Sequence, residues 1–392
     1  MKRTPSIWLF SVLSASLAAG YGVLFTLVGD FRDAYGISES AIGLVIGVGF
    51  LAGFVSQVLL APLADRGHAR RVIIIGGLSS IIGLLLMGFG QSFTPILIGR
   101  LVSGLGAGAA SPSIRRIVVL ADPTNIGRNL GRILAAGVFG YGIGPAISAL
   151  TAEPIGLAAP FVIVAAAVAV SLALAWRVQV VETVAQEPRR LALDLLRSRL
   201  VAGAVVLGAG GYGMVGAFDA LWDIVHEDLG TATWMANLGI TVFAIPMVLL
   251  SSTGGRLAER YGPFRTGAVG LILAGCLMFT YGQLPNGQSI IAVSMIHSVV
   301  DGLTFVAAGV AIGTVVPAHR QAGAQGLLGA AQALGAGFMA ILVATVHDGH
   351  GRAVAYATSA AIIIGFALVG LLLGLPYIRD NRGRRQTAPA AT

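Results

Sequence analysis

"APLADRGHARR", Ala61 to Arg71, interrupts a long apolar stretch, and five of its eleven residues are ionisable: Asp65, Arg66, His68, Arg70 and Arg71. A second cluster of the same build, "GGRLAERYGPFR", runs from Gly254 to Arg265, again between uncharged runs. What surrounds these clusters decides the fold. Of 392 residues, 56% are hydrophobic and only 11% charged, against about 25% charged in a soluble domain. Mean hydropathy is +0.86. Low charge and repeated long apolar runs are the composition of a polytopic membrane protein.

Charged or turn-forming breaks divide the chain into twelve apolar runs, near 7–29, 41–64, 72–90, 95–114, 130–150, 157–176, 201–221, 234–252, 266–282, 289–316, 324–346 and 354–375. Each is close to the roughly 20 residues that cross ~30 Å of hydrocarbon as a helix. The run at 289–316 is overlong, which a tilted helix accommodates. The first run outlasts the apolar core of a cleavable signal and reads as a spanning helix. With the N-terminus inside, only Arg32 and Arg352 of the 25 basic residues fall outside, and Arg100 falls within a span. This bias predicts that both termini are cytoplasmic in a cell membrane. The net charge of +8 is then a topology signal, and a nucleic-acid partner is excluded. The lone cysteine, Cys276, excludes an intrachain disulfide framework.

The longest polar break, Gln179 to Arg199, divides the chain into a bundle at 1–178, a cytoplasmic linker at 179–199, a second bundle at 200–378 and a tail at 379–392. "LALDLLRSRL" within the linker reads either as a short interfacial helix or as solvated chain. The halves repeat. Gly20-Tyr21-Gly22 matches Gly211-Tyr212-Gly213, and Leu63-Ala64-Asp65-Arg66 matches Leu257-Ala258-Glu259-Arg260. Gly104-Leu105 matches Gly302-Leu303, and Gly140 and Gly142 match Gly335 and Gly337. Four matches in one order predict an all-α membrane protein of twelve transmembrane helices in two pseudo-symmetric six-helix bundles. A rocking transporter has this plan, with its site between parallel repeats.

The chain resembles the major facilitator superfamily over nearly its whole length. Leu63-Ala64-Asp65-Arg66 with Arg70 and Arg71 follows that family's signature between spans 2 and 3, with His68 and Ala69 standing where Gly and Arg are usual. Arg100, Gly104 and Gly106 meet its R-x-x-x-G-x-G pattern in span 4, and Gly140, Gly144 and Pro145 its G-x-x-x-G-P pattern in span 5. The last typifies drug:proton antiporters, although Ser148-Ala149 replaces its terminal Gly-Gly. The resemblance implies that Asp65 faces the N-terminal end of span 11 and Arg115 or Arg116. It implies a cytoplasmic gate of Asp65, Arg66, Arg70, Arg71, Arg115, Arg116, Glu259 and Arg260. It also links Arg100 to proton coupling.

Ionisable groups inside a membrane are costly and point to function. Asp301 lies near the centre of span 10 with His297 one turn earlier on the same face. Asp219 lies in the outer part of span 7, either in the cavity or in an acidic rim with Asp223, Glu227 and Asp228; Asp30 reads as interfacial. Asp301, Asp219, His297 and Arg100 are the proton-coupling candidates, and span 1 lacks a mid-membrane acid. Tyr21, Gln57, Tyr141, Met214, Phe218, Trp222, Asn237, Phe243 and Gln332 are candidates for an apolar, aromatic cavity wall. Gly137, Gly140, Gly144 and Pro145 read equally as helix packing or as a hinge.

No enzyme is expected. "GLGAG" at Gly104–Gly108 lacks the strand and Lys-Ser/Thr of a phosphate loop. His347 and His350 beside Asp348 have no further ligand in view to make a metal site. The expectation is a monomeric proton-coupled exporter of small amphipathic compounds, with no cofactor beyond the proton gradient and with small molecules, protons and lipid as partners. A metabolite importer or facilitator is the alternative within the fold. A non-transporting sensor or lipid-handling protein is the alternative outside it.

Overall fold

A computed structural model describes residues 7–24, 27–37, 39–176 and 191–380. The part of the expected linker at 179–190 and the tail from 381 lie outside the described residues. Among the described residues there are helices and no strands. That follows from the solvent, because in hydrocarbon an α-helix satisfies its backbone N–H and C=O groups within its own segment.

The first half contains α1 (Ile7–Gly22), α2 (Val28–Tyr35), α3 (Glu39–Leu59), α4 (Ala61–Ala64), α5 (Ala69–Phe89), α6 (Phe93–Ala121), α7 (Ile126–Ile155) and α8 (Ala159–Trp176). The second contains α9 (Arg199–Asp228), α10 (Thr233–Tyr261), α11 (Pro263–Tyr281), α12 (Gly287–Thr304), α13 (Ala307–Val315) and α14 (Gln321–Leu373). Eight described helices are long and apolar enough to cross a membrane. At 1.5 Å per residue, α14 with its 53 residues would run to roughly 80 Å. It is broken at Gly351, whose φ of 78° suits a residue without Cβ, and so holds the eleventh and twelfth spans.

Three of the departures from the expected span boundaries have a local reason. The first span stops at Gly22, leaving Asp30 exposed on the separate helix α2. Just beyond the stop, the Ser148 hydroxyl takes up the Val23 carbonyl at 2.9 Å. The eighth span runs on to Tyr261 and ends at Gly262, φ 97°. Arg256, Glu259 and Arg260 therefore stand on the last turns of α10, where a loop was expected. The overlong tenth run is interrupted at Phe305–Val306. Thr304 donates back to the Val300 carbonyl at 2.7 Å, a bond that bends helices.

The chain forms two compact units, residues 1–192 with 317–330 and residues 193–316 with 331–392. In the first, α1 packs on α7, α5 on α6, and α3 on α6; in the second, α10 packs on α12 and α9 on α13. Small residues make the closest approaches. A Cβ on Gly140 would overlap the Ala15 carbonyl, and one on Gly335 would overlap the Ala209 carbonyl, 195 and 194 residues on. A Cβ on Gly22 would overlap the Tyr141 carbonyl, and one on Gly216 the Ala336 carbonyl, 194 and 195 residues on. A Cβ on Gly104 would lie 2.5 Å from the Gly49 carbonyl, and one on Gly302 would lie 2.8 Å from that of Pro246. The repeat is therefore a repeat of contacts. It also corrects the sequence alignment of the first and seventh spans. The counterpart of Gly22 is Gly216, and the Gly-Tyr-Gly match to Gly211–Gly213 is three residues, almost one helical turn, out of register.

Candidate functional site

In the second unit, Asp301 and His297 lie one turn apart on α12, and both are buried. His297 Nε2 stands 3.7 Å from Asp301 Oδ1, within reach of an ion pair but beyond a hydrogen bond. On the other ring edge, the Tyr281 hydroxyl at the end of α11 is 2.9 Å from Nδ1. Tyr281 thereby fixes the imidazole's orientation. If its hydroxyl donates, the remaining ring proton sits on Nε2 and faces the carboxyl. Beyond Asp301 is a cavity of about 20 Å³ lined by Tyr212, Gly270, Thr304, Phe305 and Gln332. A polar cavity above roughly 10–15 Å³ admits a water molecule. The arrangement can hold a proton on a carboxyl inside the membrane, next to an imidazole and to a cavity large enough for one water. Tyr281 was missed from sequence, because a tyrosine at a span end reads as an ordinary interfacial aromatic.

The expected cavity wall divides. Gln332 lines the small cavity with Asp301. Phe218 instead packs on Trp222 and Phe243, with centroids 4.6 and 4.9 Å apart. The Trp222 indole donates to the Ala236 carbonyl at 3.1 Å, and Met214 is buried on the same helix. These residues are packed within their own unit. Asn237 lies on α10, but its side chain is outside the described set. Asp219 is exposed on α9, as are Glu227 and Asp228. Asp228 pairs with His347 at 3.1 Å. Among the described residues no cluster of three His, Cys, Asp or Glu side chains could hold a metal.

In the first unit, Arg100 on α6 is fully buried, and none of its side-chain nitrogens meets a hydrogen-bond acceptor among the described residues. Its guanidinium stacks on Tyr21 at 4.4 Å and lies 5.8 Å from the Phe50 ring. It crosses Gly49, where a Cβ would overlap Nε. Tyr141 is exposed on α7. Gln57 lies against Gly326 and Gly329, where added Cβ atoms would overlap its backbone and side-chain oxygens. Gly140 and Gly144 form a close seam with α1, and the Pro145 ring packs against Gly22. Gly137 does not belong to this seam, since a Cβ there would touch nothing within 4 Å.

The opening motif ends in a buried knot. The Asp65 carboxylate accepts from Arg116 Nε at 2.9 Å, from Ala322 N at 2.9 Å and from Gly323 N at 2.7 Å. The amides belong to the first turn of α14, where orphan N–H groups and the helix dipole favour an anion. Burial pushes the Asp65 carboxyl above the usual carboxylate range, while the amides and Arg116 pull it back only in part. Arg70 instead bonds the Trp176 carbonyl at the end of α8 and lies over that indole at 5.2 Å. Arg66 and Arg115 are partly exposed, and Arg71 and Glu259 exposed. Arg260 stands over the Tyr261 ring at 5.4 Å.

A family model described as Major Facilitator Superfamily matches residues 9–230 and again, overlapping, 215–391. The chain belongs to the major facilitator superfamily. It is therefore an integral, multi-pass membrane transporter and not an enzyme. An uncharacterized MFS-type transporter of this superfamily, MJ1560 of Methanocaldococcus jannaschii, is 21% identical over 408 residues, covering 97% of this chain and all of that one. A solved proton:xylose symporter, XylE, shares the fold at a TM-score of 0.76 and 12% identity over 95% of each chain. The human organic anion transporter MFSD10 does so at 0.74 and 16%, over 94% of this chain and 98% of that one. One superfamily fold thus serves a sugar symporter and an organic anion transporter, so substrate must be argued from side chains.

Proposed function

We propose that this protein is a secondary active transporter that exports small amphipathic compounds in exchange for protons, by alternating access, as a monomer in the cell membrane. One observation carries the coupling: Asp301, buried on α12 beside His297, lines a water-sized cavity together with Thr304 and Gln332. A carboxyl in that setting can be loaded and unloaded as access alternates, and protonation biases the two states by removing a buried charge. His297 is the second proton site, and the exposed Asp219 gathers cations at one mouth. The Asp65–Arg116 knot is the gate. Its closed form is the one with the carboxylate seated on the first turn of α14. The Gly140–Gly144 seam is the close α1–α7 contact inside the first unit that serves as packing or hinge as access alternates.

The experiment is flux in inside-out vesicles with an acidic lumen, using a panel of fluorescent amphipathic compounds. The wild type accumulates substrate as protons leave, and Asp301→Asn, which cannot carry the proton, does not. Gradient-driven accumulation by a folded Asp301→Asn variant overturns the assignment. Accumulation by whole cells instead of vesicles reverses the direction to uptake.

A further inference from the structure

We propose that Arg100 is the anchor of an anion site, and that the transported compounds carry a single carboxylate on an apolar body. This rests on the transport reading for its purpose, though binding itself does not. The guanidinium is fully buried, yet none of its N–H groups has an acceptor among the described residues. It cannot escape by losing its proton. Its counter-charge is also missing from its own half by sequence. The acidic residues from Met1 to Trp176 are Asp30, Asp33, Glu39, Asp65, Asp122 and Glu153. Asp30 and Asp33 lie on α2, and Glu39 opens α3. Asp65 is committed to Arg116 and α14, Asp122 follows α6, and Glu153 lies in the last turn of α7.

The surroundings say which anion fits. Tyr21 occupies one face of the guanidinium and Gly49 packs on its Nε edge, so the terminal N–H groups remain for an in-plane partner. A carboxylate matches that fork with two parallel bonds. One cation neutralises one negative charge, and a doubly charged phosphate would stay unbalanced in this setting. The neighbouring rings of Tyr21 and Phe50, 5.7 Å apart, suit an apolar or aromatic body. Phe50 is 45% exposed while Arg100 is fully buried behind it and Tyr21, so a ligand reaching the guanidinium must displace these rings. Gly49 is part of the site, because a Cβ there would take the space of Nε.

The test is thermal unfolding of the full-length protein in nanodiscs with three ring-matched probes: sodium benzoate, benzyl alcohol and benzylammonium chloride. Benzoate should raise the Tm in a saturable manner, and the other two should not. Arg100→Gln should raise the ligand-free Tm, because it removes an uncompensated buried charge, and should weaken benzoate at least tenfold. Arg100→Lys, which keeps the charge but not the fork, should fall between. The proposal is overturned by equal stabilisation from benzylammonium, by absence of a benzoate shift in folded wild type, or by a benzoate shift that survives Arg100→Gln. It is also overturned if Arg100→Gln lowers the ligand-free Tm, which marks a structural clamp. Benzoate binding without proton-driven flux would uphold the anion site and sink the coupling reading, so the two failures are separable.

Discussion

The Asp65–Arg116 pair gives the sharpest quantitative expectation. The side chains are 8% and 0% exposed and meet at 2.9 Å, so either substitution alone strands a buried charge. Asp65→Asn leaves the guanidinium without its carboxylate, and Arg116→Met leaves the carboxylate with only the two amides of α14. Removing one member of a buried pair costs about 3–5 kcal/mol, whereas replacing both is often close to neutral. Because burial already outweighs the three donors at Asp65, the double variant should relieve strain on both sides. Asn also keeps one oxygen for the α14 amides. Each single variant should therefore shift the equilibrium away from the closed knot by roughly 150- to 4,000-fold, and the double variant should recover most of that. The reporter is Ala192→Cys in a Cys276→Ser background, since Ala192 is buried against Gly323. Its labelling rate by an impermeant maleimide in inside-out vesicles should rise steeply in each single variant and fall back in the double. Unchanged labelling in the singles, or additive loss in the double, would refute the reasoning. Acidity adds a sign. Where no guanidinium is left to strand, a carboxyl raised by burial favours the knot most fully below its solvent value and loses that contribution as pH rises through the raised one. Without Arg116 that value rises further, so acidification should restore protection in Arg116→Met.

The α1–α7 seam predicts that Gly140→Ala lowers Tm by an amount corresponding to about 1–3 kcal/mol, the usual cost of overpacking, while Gly137→Ala is neutral; thermal unfolding in detergent reads both. The corrected repeat predicts that Gly216→Ala, which would overlap the Ala336 carbonyl, destabilises like Gly22→Ala. Gly213→Ala, facing the flexible Met339 side chain at 3.0 Å, should be milder; equal effects would restore the older register. Tyr281→Phe removes the hydroxyl on His297 Nδ1 and should shift the pH profile of transport with little loss of stability, read by flux against pH beside a melting curve.

What the sequence determined was whatever depends on composition and local order. Apolar runs of membrane length have no stable form in lipid other than helices or closed barrels, and their period and the arginine distribution give the spans. The charged motifs and Arg100, Asp301 and His297 stand out because a charge in an apolar run is rare. Tertiary structure decided whatever depends on which helix faces which. The choice of Arg116 over Arg115 is a matter of helix phase, as one neighbour turns inward and the next outward. Tyr281, Gly49 and the register of Gly22 with Gly216 were illegible for the same reason. Their roles reside in atoms of another helix, placed within a few ångströms by packing, and packing is a property of pairs of surfaces that no single stretch of chain contains.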